Sequence, residues 1–179
     1  MIALLEFWEV IRDFLEAGGQ VLLVILFATL VLWTLILERY WYFLKVYPGE
    51  AKKLISEWSQ RNDKTSWSAH KIREALISQT RTQLGQSVGF IKTLVAVCPL
   101  LGLMGTVTGM ISVFEVMAVT GTGNARLMAS GISMATIPTM AGMVASISGV
   151  YFSSRLEHRV RVETDKLADS LPYTEEVAV

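Results

Sequence analysis

Charge is scarce in this chain and withheld from long stretches of it. Only 18% of its 179 residues are Asp, Glu, Lys or Arg, against 52% hydrophobic, where a soluble domain averages about 25% charged. So little polar surface cannot cover one globule, and a mean hydropathy of +0.44 also excludes intrinsic disorder. One cysteine, Cys98, excludes an intrachain disulfide, and two histidines cannot build a four-ligand zinc site. Sixteen Lys+Arg offset sixteen Asp+Glu, so net charge points to no nucleic-acid partner. There is no Ser/His/Asp set, no metal cluster and no phosphate-binding glycine loop followed by Lys-Ser/Thr, which leaves no ground for an enzyme or a cofactor. What remains is a membrane protein.

Three uncharged runs support that class: Val21–Leu37, Thr93–Phe114 and Leu127–Ser154. A helix needs about 20 apolar residues to cross the hydrocarbon core. The second and third runs suffice alone, and the first suffices with its Gly18–Gly19–Gln20 entry. The expected fold is all-α, with spans at 19–38, 93–115 and 127–154 in a single domain covering 1–179.

Fourteen of the sixteen Lys/Arg fall between Glu38 and Lys92 or after Ser154, leaving only Arg12 and Arg126 elsewhere. The positive-inside rule therefore places residues 39–92 and the tail 155–179 in the cytoplasm. The N-terminus and the short connection 116–126 face outward, which in a bacterium is the periplasm. Within residues 1–17, Leu4, Phe7, Trp8, Ile11, Phe14 and Leu15 recur at helical spacing opposite Glu6, Glu9, Asp13 and Glu16. That acidic segment lacks the basic start and small-residue cleavage site of a signal peptide and reads as an interfacial helix on the outer leaflet. Trp33, Tyr40, Trp41 and Tyr42 suit the inner boundary. In the basic loop, Pro48–Gly49 is expected to break the chain, and Asn62 with Thr65–Ser66 to turn it. A helix over 68–92 should run unbroken into the second span. His70 and His158 have no ligand partners at metal spacing and read as solvated.

The second span carries Cys98, Gly102, Gly105, Gly109 and Ser112; the third carries Ala135, Thr139, Gly142, Ser146 and Gly149. Each set advances in steps of four and three and draws a stripe of small residues down one helix face. Such stripes allow close backbone approach where lipid supplies no hydrophobic drive. Packing of the two helices within one chain accounts for most of the glycines; the stripes also suit the subunit interfaces of a ring. Thr106, Thr108, Ser112, Ser130, Ser133, Thr136, Thr139, Ser146 and Ser148 on these spans, with Pro99 and Pro138 interrupting backbone pairing and expected to kink their helices, suggest a partly polar interior. Each hydroxyl could instead bond a carbonyl of its own helix. Between Glu74 and Glu157 the sole carboxylate is Glu115, at the outer end of the second span. A proton relay needs an ionisable group inside the membrane. The chain therefore moves no protons, or it borrows an acid from another subunit.

The run Pro99-Leu-Leu-Gly-Leu-Met-Gly-Thr106-Val-Thr-Gly-Met110 with Phe114, and the segments Gly131–Ala135 and Thr139–Gly142, resemble the second- and third-span signatures of the ExbB/TolQ/MotA proton-channel family. The resemblance is nearest to a short, second-type ExbB of a TonB system. It implies an inner-membrane motor subunit that forms a homo-oligomeric, pentameric ring around an ExbD-like partner. That partner's transmembrane aspartate takes the proton and a TonB-like protein receives the energy. It also implies that Thr106 and Thr139 line the pore opposite that aspartate. Lipid surrounds the ring, and no nucleic acid or cofactor is implied. One departure stands out: Met134 occupies the place of a third-span glutamate and cannot pass a proton. Either conduction is left to the partner's aspartate and the threonines, or the chain is a non-conducting scaffold. The intact threonines and stripes favour the first. Energising outer-membrane uptake of iron chelates and a TolQ-like role in envelope integrity both fit.

Overall fold

The computed structural model describes residues 2–121 and 125–172, and all of its regular structure is helical. Helix α1 spans Ile2–Trp41, followed by a π-helical turn at Tyr42–Val46; α2 spans Tyr47–Ser59, α3 Trp67–Thr120 and α4 Ala125–Asp169. Three of these helical stretches are long and apolar enough to cross a membrane. The chain divides into two compact units, Met1–Trp33 with Lys92–Val150, and Thr34–Ile91 with Tyr151–Val179.

In the first unit, the span of α1 presents Val21, Leu22, Ile25 and Leu32 inward, all buried, and leaves Leu23, Leu26, Phe27 and Leu30 exposed. The buried positions recur at three, four and seven, as one helix face requires. The exposed ones are what a helix shows to lipid. Helix α1 is interrupted at Gly19, whose φ of 66° and ψ of −164° lie in a region open in practice only to glycine. That interruption separates the expected interfacial segment from the expected span. Of the apolar stripe proposed for 1–17, Ile11 and Leu15 are half-buried and Phe14 is exposed; the side chains of Leu4, Phe7 and Trp8 lie outside the described residues.

The second unit departs from expectation at Pro48–Gly49. The pair does not break the chain; it sits in the first turn of α2. Proline is tolerated there because its missing N–H would have no helical partner, and the π turn before it widens the helix by one residue, with Tyr47 N–H reaching the Tyr42 carbonyl. The turn expected around Asn62 and Thr65–Ser66 does interrupt the helices, held by Asp63 Oδ1 accepting from the Thr65 and Ser66 N–H groups at 3.3 and 3.0 Å. Trp58, Ala69, Leu167 and Leu171 form a buried cluster that joins α2, α3 and α4. Around it, Trp58 Nε1 donates to the Pro172 carbonyl at 3.2 Å, and Arg73 donates to the Leu171 and Ala168 carbonyls at 2.7 and 2.8 Å. Arg39, 7% exposed, donates to Ser87 Oγ at 2.6 Å and to the Gln83 carbonyl at 3.4 Å. On the surface, the Lys71 ammonium, hydrogen-bonded at 2.9 Å, holds the Glu74 carboxyl below its usual range.

The helices outrun their uncharged segments. Helix α3 covers both the expected 68–92 helix and the second span, and continues to Thr120, into the expected connection 116–126. Helix α4 carries the third span on to Asp169, well into the expected tail. Residues 122–124 of the connection and 173–179 of the tail lie outside the described residues.

Candidate functional site

The polar and small residues singled out in the second and third spans meet along the antiparallel contact of α3 with α4 in the first unit. Ascending α3, the partners descend α4 in step. A Cβ built on Gly142 would lie 2.6 Å from the Cys98 carbonyl oxygen, one on Gly102 would lie 2.9 Å from Thr139 Cα, and one on Gly109 would lie 2.6 Å from Ala135 Cα. Each clash is with backbone or a Cβ, which no rotamer change relieves. The Gly105 position is filled by the ring of Pro138, and Gly149 faces Val95. The glycine stripes therefore bring the two helices of one chain together, backbone against backbone, as small residues do in membranes.

Two stripe members behave differently. Ser112 is exposed, and Val113 takes the next contact, against Gly131. The reason is geometric: steps of four and three average 3.5 residues, whereas a straight helix turns in 3.6, so a strict stripe drifts off the contact face by about 20° per heptad. Ser146 is half-buried on the α4 side. The two prolines lie inside continuous helices. Pro138 lacks the N–H that would pair with the Met134 carbonyl, and its ring is among the most fully buried side chains. It serves as a packing knob, a role that periodicity could not reveal.

The hydroxyls divide into local and bridging. Thr106 donates to the Leu103 carbonyl at 2.7 Å, Ser112 to Thr108 at 3.2 Å, and Thr136 to Ser133 at 3.1 Å, all within their own helix. Thr139 is different: its hydroxyl crosses to α3 and donates to the Gly102 carbonyl at 2.9 Å. Helical pairing directs the Thr106 backbone N–H to that same carbonyl, so the Gly102 oxygen is shared by the Thr139 hydroxyl and the main chain of residue 106. Each has spent its proton on a carbonyl and keeps its oxygen lone pairs as acceptors.

Met134 is 37% exposed. It borders a notch of about 210 Å3 lined also by Gln20, Thr108 and Ser112 beside the Gly19 interruption. Between Thr93 and Phe114, and between Leu127 and Ser154, there is no Asp, Glu, Lys, Arg or His. Among the described residues no three His, Cys, Asp or Glu side chains converge on a point where a metal could sit. The arrangement is a neutral, hydrogen-bonding helix pair.

Three membrane-length helices with a glycine-lined contact define a multi-pass membrane protein. The model of the MotA/TolQ/ExbB proton channel family matches residues 49–169, and the chain belongs to that family. Relatives include the biopolymer transport protein ExbB of Salmonella typhimurium, 35% identical over 77 residues that cover 43% of this chain and 32% of that protein. Another is the biopolymer transport protein exbB1 of Vibrio cholerae, 32% identical over 98 residues, 54% of this chain and 43% of that one. The Tol-Pal system protein TolQ of Haemophilus influenzae is 35% identical over 83 residues, 46% of this chain and 36% of that one. The chain thus spans less than half the length of these relatives.

Proposed function

We propose that this chain is the ring-forming subunit of a proton-motive-force-driven motor in the bacterial inner membrane, acting with an ExbD-like partner to energise TonB-dependent transport across the outer membrane. The observation that carries the reading is the Thr139 hydroxyl bridging to the Gly102 carbonyl, one turn from Thr106, in a helix pair without an ionisable group. Such a pair can hold a proton carrier but cannot be one. A protonated aspartic acid from a partner helix can donate to the free lone pairs of either threonine. Rotation of a hydroxyl then offers a donor to the aspartate once the proton has left. The basic segments 39–92 and 155–179 face the cytoplasm in this reading, and five copies surround the partner.

Proteoliposomes holding this chain with a one-span, aspartate-bearing partner should pass protons. Those holding the chain alone, or with the partner's aspartate replaced by asparagine, should not. Flux from the chain alone at the level of the complex would overturn the borrowed-acid mechanism. The similarity to TolQ supports a second reading, an energiser of envelope integrity. A deletion strain that regains iron-chelate uptake on complementation supports the TonB role, whereas one that regains only detergent resistance supports the TolQ role.

A further inference from the structure

In the second unit, a cavity of about 480 Å3 lies between the end of α1 and the C-terminal half of α4. Its lining changes character along its length. Ile36 and Phe152, at one end, belong to the uncharged runs that end at Leu37 and Ser154. Arg155 and Arg159 follow about one and two turns further along α4 as the first cations after the third of those runs, with Glu163 and Lys166 beyond them. Tyr40 also lines the cavity, with the Arg159 guanidinium carbon 5.6 Å from its ring centroid.

Charge in the cavity is not balanced from within. Its one acid, Glu163, is taken by Lys166 at 2.9 Å. Arg155 and Arg159 make no ion pair among the described residues. Their side chains, one helical turn apart, share a helix face, and guanidinium is the side chain best matched to the paired oxygens of a phosphate. His158, which reads as solvated from sequence alone, lines the same space.

We infer that this cavity is a binding site for an anionic phospholipid of the inner leaflet, its phosphate on Arg155 and Arg159 and its acyl chains along Ile36 and Phe152. The inference rests on reading these helices as membrane spans with the basic side cytoplasmic. The graded lining selects the occupant. A soluble phosphate would use the arginines but not the apolar end, and a zwitterionic lipid would bring a cationic headgroup to a site that already carries two unpaired cations. Basic pockets between spans on the cytoplasmic side are where anionic headgroups are held.

The test is native mass spectrometry of the full chain, purified in detergent and offered equal amounts of phosphatidylglycerol and phosphatidylcholine. Phosphatidylglycerol should be retained preferentially. R155Q/R159Q should cut its retention by about ten-fold, the scale of losing charge-assisted hydrogen bonds, while R155K/R159K keeps the preference over phosphatidylcholine. Inorganic phosphate at the same concentration should not displace the lipid. Equal retention of both lipids by the native chain would overturn the inference, as would an unchanged preference in the glutamine variant. So would displacement by phosphate, which would mark a soluble-anion site, or a ring size altered by R155K/R159K, which would mark a protomer contact. Because the readout needs neither partner nor transport, its failure leaves the proposed motor function standing, and failure of the motor assays leaves this result standing.

Discussion

The Thr139 hydroxyl donates across the α3–α4 contact to the carbonyl of Gly102 at 2.9 Å, the carbonyl that helical pairing also gives to the Thr106 N–H. The close approach that makes this bond possible depends on the absence of a side chain at Gly102, where a Cβ would lie 2.9 Å from Thr139 Cα. One glycine thus sets both the helix spacing and the reach of the Thr139 hydroxyl.

Thr139→Val keeps the shape and removes the bond. The Gly102 carbonyl retains its helical partner, so no buried acceptor is orphaned, and the cost should be about 0.6 kcal/mol, the average for interhelical bonds in membranes. Thr106→Val loses only a bond within its own helix. Both variants should assemble normally by native mass spectrometry and fail in TonB-dependent iron uptake with their partner present. Full uptake by the double variant would remove the threonines from the proton path, and loss of the oligomer would reassign them to packing.

Much of this was legible from residue order because membrane spans announce themselves by missing charge, a property that needs no partner to be seen. The glycine stripes were equally visible, but a stripe does not name its partner. Only the structure pairs Gly109 with Ala135 and Gly105 with Pro138. Pro48–Gly49 misled because proline breaks a helix interior yet favours its first turn, and a position one or two residues either way decides which applies. Arg39 and Arg73 were hidden as binding groups because their acceptors lie 44 to 98 residues away in the chain.

The glycines differ in what alanine would do to them. At Gly109 and Gly142 the new methyl would meet Ala135 Cα and the Cys98 carbonyl oxygen, each at 2.6 Å; overpacking of this kind costs about 1–3 kcal/mol. At Gly85 a Cβ meets nothing within 4 Å, and replacing a mid-helix glycine gains about 0.5–1 kcal/mol. Thermal unfolding in detergent should therefore rank G85A above the native chain, and G109A and G142A below it. A stable G142A would contradict the backbone contact.

Gly19 carries a different demand. Its φ of 66° with ψ of −164° would cost any other residue about 1–3 kcal/mol, although a Cβ there has open space around it. Gly19→Ala should consequently either lower the melting temperature or restore a straight helix through residues 16–22. Spin-label distances between Arg12 and Leu26 positions would distinguish the two, since a straight helix separates them by about 21 Å at 1.5 Å per residue. An unchanged distance with unchanged stability would show that the break is not held by the glycine.

Arg73 closes the end of α4. The last carbonyls of a helix lack intrahelical partners and carry the negative end of its dipole. Arg73 Nε donates to the Leu171 carbonyl just past α4 at 2.7 Å and Nη2 to the Ala168 carbonyl at 2.8 Å, which also accepts the Leu171 N–H at 3.3 Å, over the buried cluster of Trp58, Ala69, Leu167 and Leu171. A planar fork reaches two carbonyls at once; an ammonium reaches them singly. Arg73→Ala removes a charged donor from two partly buried acceptors and should cost about 1.5–3 kcal/mol, with Arg73→Lys recovering only part of it. Near-ultraviolet circular dichroism follows this loss through Trp58, whose Nε1 donates to the neighbouring Pro172 carbonyl. The Trp58 signal should weaken in R73A before global unfolding, while proton flux measured with the partner stays near native because Thr106 and Thr139 belong to the other unit. An R73A chain with native stability and an unchanged tryptophan signal would show that the α4 terminus is held by the apolar cluster alone.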